Sequence, residues 1–579
     1  MFQKFSFSRR RQLAVLACIL ALFLGAAGFL LLSRAQENRK FSEFTRDFFA
    51  REITSDTLSL HYTLADPAVF GIQDYPVTLG CISSRSGEQN AALENLSSSL
   101  ASFSPSRLSR ENRITLDIMK LYCETALEAA DLPPLYEPLS PSLGVQAQLP
   151  VLLAEYAFYD EQDILDYLAL LKDMPSYFSS ILDYEKEKAD AGCFMSDTSA
   201  DRITEQCSAF IAGGEHNYLQ TIFQEKISEF PGLTEKECAA LSETHRKLLT
   251  DHVLPAYQSL INGLNSLKGR GTNTMGLSYY PQGQEYYEYL LKSEVGVYDS
   301  PEEVENMLLA RLQEDVSAIH ALLSKDPGLI AKAYSDTDTR SPQEMLLDLQ
   351  EKISEDFPAL DAPEYEIKYV HEDLEEFLSP AFYLTPPLDL ETSNSIYING
   401  ASDLAGTELY TTLAHEGFPG HLYQTVFFER TDPNPVRSLF EPGGYVEGWA
   451  TYTESYAYGY ALSDSALAEL LLRNRSVTLC LYSLIDLGIH YHGWTPDTAS
   501  EFLRGFGITD PDTCAEIYQY IIETPANYLK YYVGSLCFEQ LREEFRTQQG
   551  NDFSLKDFHE KLLRIGPAPF PVAEKFLLG

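Results

Sequence analysis

The chain has 579 residues, of which 45% are hydrophobic and 22% are charged, an ordinary composition for a globular protein. This composition excludes disorder over most of the length. The formal net charge is −42, from 43 Lys and Arg against 85 Asp and Glu. We therefore expect no nucleic-acid partner, because so acidic a surface repels phosphate backbones.

The N-terminus is the one basic and strongly apolar segment. Lys4 and the run 9–11 precede 20 uncharged residues from Leu13 to Leu32, about the length that spans a bilayer core. Basic residues before such a run favour a cytoplasmic N-terminus and an exported remainder. We predict that residues 1–35 are a signal-anchor in the cell membrane, single-pass, with an extracytoplasmic domain. Cleavage near 33–35 would instead give a secreted protein.

Residues 36–579 are predicted to form a single, mostly helical domain with a soft internal boundary near residue 270. Apolar periodicity and N-terminal capping sequences predict several helices, at 37–52, at 151–191, from 301 to about 323, from 342 to about 353, after 464 and after 495. Alternation predicts two strands, 366–370 and 395–399, shortly before the segment that carries chemistry.

That segment contains His415, Glu416 and His421 in the sequence HEGFPGH. A metallopeptidase helix places two His four residues apart with a Glu beside the first. Here the spacing is six, which leaves the two side chains about 120° apart on an ideal helix. Pro419 lacks the N–H that would bond to the carbonyl of His415, so we expect the helix to break there. A broken helix can bring both imidazoles to one metal, although an ordinary set of polar residues is the alternative.

A second acidic motif follows in the sequence GGYVEGWATYTE at 443–454. Glu447 and Glu454 are seven residues apart and so share a helix face. One of them can bind a metal while the other orients a ligand imidazole. A solvated helix surface is the alternative, but apolar neighbours such as Trp449 favour a carboxylate that has a partner.

These motifs resemble the bacterial DUF885 family, a group related to the gluzincin clan of HExxH metallopeptidases. The matching stretches are HEGFPGH at 415–421, EGWATYTE at 447–454, DLGIH at 486–490, PANYLKYYVG at 525–534 and YYPQGQEYY at 279–287. The resemblance implies a mostly α fold of the large helical gluzincin type. It also implies two lobes around a deep channel and a small β-sheet near the active site.

The resemblance also implies a role for each residue of the motifs. His415, His421 and Glu447 would bind one zinc ion, and Glu416 would act as general base toward a metal-activated water. Tyr531 would stabilise the oxyanion, with the neighbouring Tyr528 and Tyr532 as open alternatives. Glu454 would orient a ligand from behind.

Two further residues lie in the DLGIH motif. His490 is a candidate catalytic contact to the substrate or oxyanion, oriented by Asp486 four residues earlier. A core histidine bonded to a core aspartate is the alternative.

Candidate substrate-binding residues lie outside these motifs. The strand 395–399, with Tyr397 and Asn399, would be an edge strand that pairs with an extended peptide, as related enzymes use. Arg542 would bind a substrate carboxylate, although a salt bridge in so acidic a protein is the alternative.

Together these features predict a membrane-anchored or exported zinc-dependent peptidase that hydrolyses short peptides. One alternative is a non-catalytic protein of the cell envelope that binds peptides or another ligand. Another is a metal-dependent amidohydrolase that acts on a non-peptide amide.

Overall fold

The computed structural model describes residues 9–335, 338–361, 363–375, 378–390 and 394–579, with side chains from residue 28 onward except that of residue 373. Helices make up most of these residues, which confirms the mostly α fold. In chain order the α-helices of the described residues are α1 (Arg9–Ile53), α2 (Thr57–Thr63), α3 (Gly87–Ala101), α4 (Arg110–Glu128), α5 (Val145–Glu155), α6 (Glu161–Asp190), α7 (Asp197–Ala212), α8 (Tyr218–Glu229), α9 (Glu235–Leu248), α10 (Leu254–Leu267), α11 (Gly283–Leu290), α12 (Pro301–Lys325), α13 (Leu329–Ala333), α14 (Pro342–Lys352), α15 (Gly406–Glu416), α16 (His421–Glu429), α17 (Gly443–Ala461), α18 (Ser465–His490), α19 (Pro496–Arg504), α20 (Pro511–Glu523), α21 (Asn527–Gln549), α22 (Leu555–Ile565) and α23 (Phe570–Leu578).

Helix starts predicted from capping sequences are confirmed. Ser300 and Ser341 cap α12 and α14 through reciprocal bonds with the glutamate three residues on, and Thr495 caps α19. The single helix predicted at 151–191 is instead two helices, α5 and α6. The break arises because the Asp160 side chain accepts hydrogen bonds from the next helix's first N–H groups and starts it anew.

Helix α1 contains the predicted helix at 37–52. The predicted membrane segment at 13–32 falls largely on residues whose side chains lie outside the described set. Among the residues that were described and searched, no helix is both long and apolar enough to cross a membrane.

The described ranges contain one small sheet with three strands, β1 (Tyr365–Tyr369), β2 (Ala381–Leu384) and β3 (Asn394–Ile398). Strands β1 and β3 confirm the two predicted strands. Their order is β1-β3-β2, with β3 parallel to β1 and antiparallel to β2. The prediction that 395–399 forms an edge strand is therefore wrong, because β3 is hydrogen-bonded on both sides.

The unpaired edge that faces the active-site helices belongs to β2, which the sequence analysis missed. The Asn399 N–H donates to the Pro380 carbonyl at 2.9 Å, so that pair is hydrogen-bonded across the two strands. Because bonded and non-bonded pairs alternate in an antiparallel ladder, Ala381 and Tyr383 direct their backbone groups away from β3.

Two large hydrophobic cores fill the described part of the chain. The first joins buried residues of 41–123 with residues of 277–577 and includes α15, α16 and α17. The second lies mostly within 79–267 and also takes Val370, Leu374 and Tyr397 from the sheet region. Neither the two lobes around a channel nor a boundary near 270 is tested by this, and both stay predictions.

Helices α17 and α21 touch through their backbones. A Cβ on Gly448 would lie 2.5 Å from the carbonyl carbon of Gly534, and a Cβ on Gly534 would lie 2.0 Å from the oxygen of Gly444. Only glycine allows so close an approach. Since α17 carries Glu447 and α21 carries Tyr531, this contact sets how far apart the two helices hold those side chains.

Candidate metal centre

The sequence HEGFPGH folds as the end of one helix and the start of the next. Helix α15 ends at Glu416 and α16 begins at His421, which confirms the predicted break. The Gly420 N–H donates to the Ala414 carbonyl at 2.9 Å, and a Cβ on Gly420 would lie 1.8 Å from the oxygen of His415. The turn is therefore tight enough to need glycine at 420, and it places both imidazoles on one side.

Three predicted ligands lie together. One donor atom from each of His415, His421 and Glu447 falls within 4.8 Å of the others. The Nε2 atoms of His415 and His421 each lie 3.4 Å from Oε2 of Glu447. Zinc bonds to nitrogen and oxygen of about 2.0–2.1 Å in tetrahedral geometry place neighbouring donor atoms roughly 3.3–3.4 Å apart. The donor set and its spacing thus fit zinc.

The electrostatics of the three side chains favour positive charge between them. Burial lowers the pKa of His415, but the Glu447 and Glu454 carboxylates outweigh it and raise that pKa to about 10. Burial raises the pKa of Glu447, yet His415 and His421 outweigh it and hold that pKa well below its usual range. The two imidazoles and the carboxylate together therefore stabilise a positive charge, which a bound metal cation would supply.

Glu454 lies behind His415, as predicted for a residue that orients a ligand. Its Oε2 lies 3.4 Å from Nδ1 of His415, the nitrogen that faces away from Glu447. Arg475 donates from Nε to Oε1 of Glu454 at 3.0 Å, and Glu454 is buried. A carboxylate held in this way fixes the ring orientation and the tautomer of the histidine.

Glu416 is the last residue of α15 and is held by the sheet. Its Oε2 accepts a hydrogen bond from the backbone N–H of Tyr383 in β2 at 2.9 Å. The outward-facing edge of β2 therefore reaches the carboxylate that was predicted as general base.

Of the three candidate tyrosines, Tyr531 lies nearest the ligands. Its ring centroid is 6.3 Å from that of His415, whereas Tyr528 stacks on Tyr482 at 4.7 Å and the Tyr532 hydroxyl pairs with Ser476 at 2.5 Å. Burial, with help from the nearby acidic groups, raises the pKa of Tyr531. Its hydroxyl therefore keeps its proton at neutral pH and can donate it in a hydrogen bond.

His490 is not brought to this centre. The side chain is 1% exposed and lies at the end of α18, the helix predicted after 464. Its Nδ1 accepts from the Leu277 N–H at 3.2 Å and its Nε2 donates to the Ile521 carbonyl at 2.9 Å. Both ring nitrogens are thus occupied by backbone groups.

The predicted pairing of Asp486 with His490 is wrong. Asp486 instead accepts from the Tyr287 hydroxyl at 2.6 Å and from the Ala526 N–H at 3.0 Å. Burial lowers the pKa of His490 to about 4 and raises that of Asp486 to about 7. Each side chain bonds to its own core neighbours rather than to the other.

Tyr397 and Asn399 are also placed differently from the prediction. The Tyr397 hydroxyl donates to Glu155 at 2.7 Å on the side of the second core. The Asn399 amide donates to the carbonyls of Glu375 and Leu378 and so holds the turn after β3. Both residues hold the sheet in place, and neither lines the cavity described next.

Arg542 contacts aromatic side chains. Its Nη1 donates to the Tyr456 hydroxyl at 3.0 Å, and the guanidinium lies 5.8 Å from the ring centroid of Tyr452. Within the part of the chain that the structure describes, the alternative of a salt bridge is realised with its chain neighbour Glu543 alone, at 3.4 Å.

A cavity of about 560 Å³ opens beside the metal centre. It is lined by His421 and Glu447 together with Tyr383, Thr385 and Gln424. A volume of this size is typical of sites that bind small molecules. It adjoins a second cavity of about 840 Å³, with which it shares the wall around Phe428 and 432–435.

Sequence reasoning missed three residues of this region. Arg475 and Tyr383 bond to Glu454 and Glu416 from other elements, and Arg437 lines both cavities. None of them belongs to a motif, and their positions depend on how distant segments pack, so no local pattern identifies them.

Solved structures show the same fold at low sequence identity. A structure described as a "putative lipoprotein" from Colwellia psychrerythraea has a TM-score of 0.80 at 20% identity and covers 94% of this chain and 98% of its own. Another, a "putative lipoprotein of unknown function" from Shewanella oneidensis, has a TM-score of 0.63 at 16% identity and covers 92% and 99%. No protein of curated function matches this sequence.

The family itself is shown by sequence. The profile of a family described as "Bacterial protein of unknown function (DUF885)" matches residues 78–577. The chain therefore belongs to the DUF885 family, as its motifs predicted.

Proposed function

We propose that this member of the DUF885 family is a zinc-dependent peptidase that hydrolyses short peptides. The observation that carries the proposal is a donor set of two His and one Glu with 3.4 Å spacings, in which the ligand His415 is followed in the chain by Glu416, whose charge acts on it. This is the combination of ligands and general base that zinc peptidases need.

The residues that would hold the ion are His415, His421 and Glu447. When bound there, zinc supplies a Lewis acid that lowers the pKa of a water molecule toward about 7 and polarises the substrate carbonyl. Glu454 and Arg475 keep the His415 ring in its ligand orientation.

The remaining steps belong to side chains and backbone of the chain. Glu416, fixed by the Tyr383 N–H, accepts a proton from the attacking water and later passes it to the leaving amine. Tyr531 donates a hydrogen bond to the oxyanion that develops on the peptide carbonyl. The outer edge of β2, apart from the Tyr383 N–H that Glu416 occupies, offers its backbone groups to an extended peptide, the role that the sequence analysis gave to β3.

We also propose that the protein acts in the cell envelope. The basic residues before the apolar run 13–32 support export. Phe29 to Leu32, the described end of that run, are each more than 60% exposed, as expected of side chains that meet lipid. N-terminal sequencing of the mature protein from membranes and from medium would separate an uncleaved anchor from a cleaved signal.

The first test is the metal content of purified protein, measured by elemental mass spectrometry without chelator. We expect about one zinc per chain, and peptide hydrolysis that chelator removes and zinc restores. A chain that binds no zinc after zinc is offered contradicts the proposal. Zinc without turnover in a peptide and amide screen favours a binding protein.

The second test is Glu416→Gln, which keeps the size of the side chain but removes its basicity. We expect zinc content to stay near one per chain and kcat to fall about 10²–10⁴-fold, the usual contribution of a general base. Retained kcat in this variant would remove Glu416 from the mechanism.

A further inference from the structure

Arg437 lies in the wall between the two adjoining cavities and is the one Lys or Arg among the described residues that line the cavity of His421 and Glu447. Its side chain is only 5% exposed. Its Nη2 donates to the carbonyls of Ile565 at 3.0 Å and Pro567 at 2.5 Å.

The rest of this guanidinium has no hydrogen-bond partner among the described residues. Nε is shielded from solvent and makes no hydrogen bond, and no bond from Nη1 occurs among the described residues. None of the ion pairs of the described chain includes Arg437. Glu441 acts on this cation only through its charge and forms no ion pair with it within the described chain. A buried cation whose hydrogen-bonding capacity is not filled is costly, so an arginine in this state favours an anion as ligand.

The free atoms suit one kind of anion. Nε is shielded, so Nη1 is the atom with N–H groups left to donate, and hydrogen bonds from a guanidinium to a carboxylate are strong because both partners are charged. Burial lowers the pKa of Arg437 to about 10 although Glu441 opposes the shift, so the group is still charged at neutral pH.

The other charged groups of the cavity sharpen the selectivity. Glu429 and Asp432 line the same space and repel anions from it, whereas Glu441 lies close enough to Arg437 to act on its charge. An anionic group of a substrate is thus stabilised at Arg437 and disfavoured elsewhere.

The distance from Arg437 to the metal centre limits how many substrate residues fit between them. The guanidinium carbon is 5.0 Å from the ring centroid of Phe428, which follows His421 by seven residues in α16. At about 1.5 Å per residue, this places Arg437 roughly 10 Å along the helix from His421. An extended peptide covers that span with about three residues.

We infer that Arg437 binds the C-terminal carboxylate of the substrate, so that cleavage releases fragments of two or three residues from the carboxyl end. The inference rests on the proposed peptidase function and extends it. It also moves the carboxylate-binding role from Arg542 to Arg437.

The test compares peptides of four to eight residues that carry either a free carboxylate or an amide at the C-terminus. With zinc-loaded protein, the free acid should have a kcat/KM about 10- to 100-fold higher, and mass spectrometry should find dipeptides or tripeptides released from that end. Equal rates for acid and amide, or release of single residues, would overturn the inference.

Binding measurements separate this inference from the peptidase proposal. In zinc-loaded Glu416→Gln, calorimetry should show the acid peptide binding at least tenfold tighter than the amide, even if no wild-type turnover is found. Equal affinities, or no binding of either peptide, would overturn the role of Arg437.

Variants assign the effect to the residue. Arg437→Gln should reduce the preference for acid over amide to near unity, while Arg437→Lys should keep part of it. Because Arg437 also bonds two carbonyls, each variant is first checked for its unfolding temperature, and Arg437→Lys decides the matter if Arg437→Gln does not fold. Arg542→Gln is the competing variant, and loss of the preference there instead would overturn the inference.

Discussion

Two buried histidines of this protein have similar neighbours in the sequence but different neighbours in the folded structure. His415 and His490 both stand in the last turn of a helix, and each has an acidic residue within four positions. His415 meets carboxylates at both ring nitrogens, at 3.4 Å on each side. His490 bonds at both nitrogens to backbone groups.

The difference shows that an acidic neighbour in sequence does not define a histidine's role. The carboxylates that face His415 come from α17, not from its own helix. They raise the pKa of His415 to about 10, whereas burial among neutral partners lowers that of His490 to about 4. A ligand histidine is therefore recognised here by carboxylates that a second helix supplies.

The largest effect expected from this comparison is on zinc binding. His415→Ala should lose more than the 10–100-fold in zinc affinity typical of changes behind a ligand, because it removes a ligand itself. His490→Gln keeps a donor and an acceptor for the backbone and should retain about one zinc per chain. Elemental mass spectrometry after dialysis measures both.

The comparison breaks if His490→Gln remains folded and loses its zinc. Circular dichroism of both variants serves as the control for folding. Retention of zinc by His415→Ala would equally remove His415 from the ligand set.

A smaller effect is expected behind the ligands. Glu454→Gln should weaken zinc binding about 10–100-fold, because the His415 ring loses its negatively charged partner. Asp486→Asn is the matched control, since Asp486 bonds to Tyr287 and Ala526 and should leave zinc affinity unchanged. Competition with a zinc chelator of known affinity measures both, and equal effects in the two variants would contradict the distinction.

The last effect is on stability rather than on zinc binding and concerns Asp486, four residues before His490 in the sequence. Burial raises the pKa of Asp486 to about 7 in the folded protein, while in the unfolded chain the value is about 3.9. Between these values the folded state holds a proton that the unfolded state has released. Stability should therefore fall as pH rises from about 4 to 7, by up to about 1.4 kcal/mol per pH unit.

Asp486→Asn removes this titration. We expect the free energy of unfolding of the variant to increase relative to that of the wild type as pH rises. Urea unfolding of zinc-free protein at pH 5 and pH 7.5 measures this difference. Parallel pH profiles would show that the Asp486 carboxyl ionises alike in the folded and unfolded states.

Structural features that depend on neighbouring residues can be predicted from the sequence, whereas features that depend on the packing of distant segments cannot. The break between His415 and His421 follows from Pro419 alone, and capping residues mark the starts of α12 and α14. Whether β3 is an edge strand depends on β2, which is only four residues long and has little pattern of its own.

The same limit applies to the arginines. Arg542 lies near a family motif, and for that reason a substrate-binding role was predicted for it. In the structure it donates a hydrogen bond to Tyr456 instead. Arg437 lies outside every motif. It lines the cavity only because α16 and the residues at the end of α22 pack around it.

The backbone contact between α17 and α21 bears on how this protein tolerates mutation. Side chains in the surrounding core can exchange volume with one another, but they do not lie between Gly448 and Gly534. Drift in core composition therefore leaves the separation of Glu447 and Tyr531 largely unaffected. A single added methyl group at either glycine would change that separation at once, so the geometry of the centre is robust to many substitutions and fragile to very few.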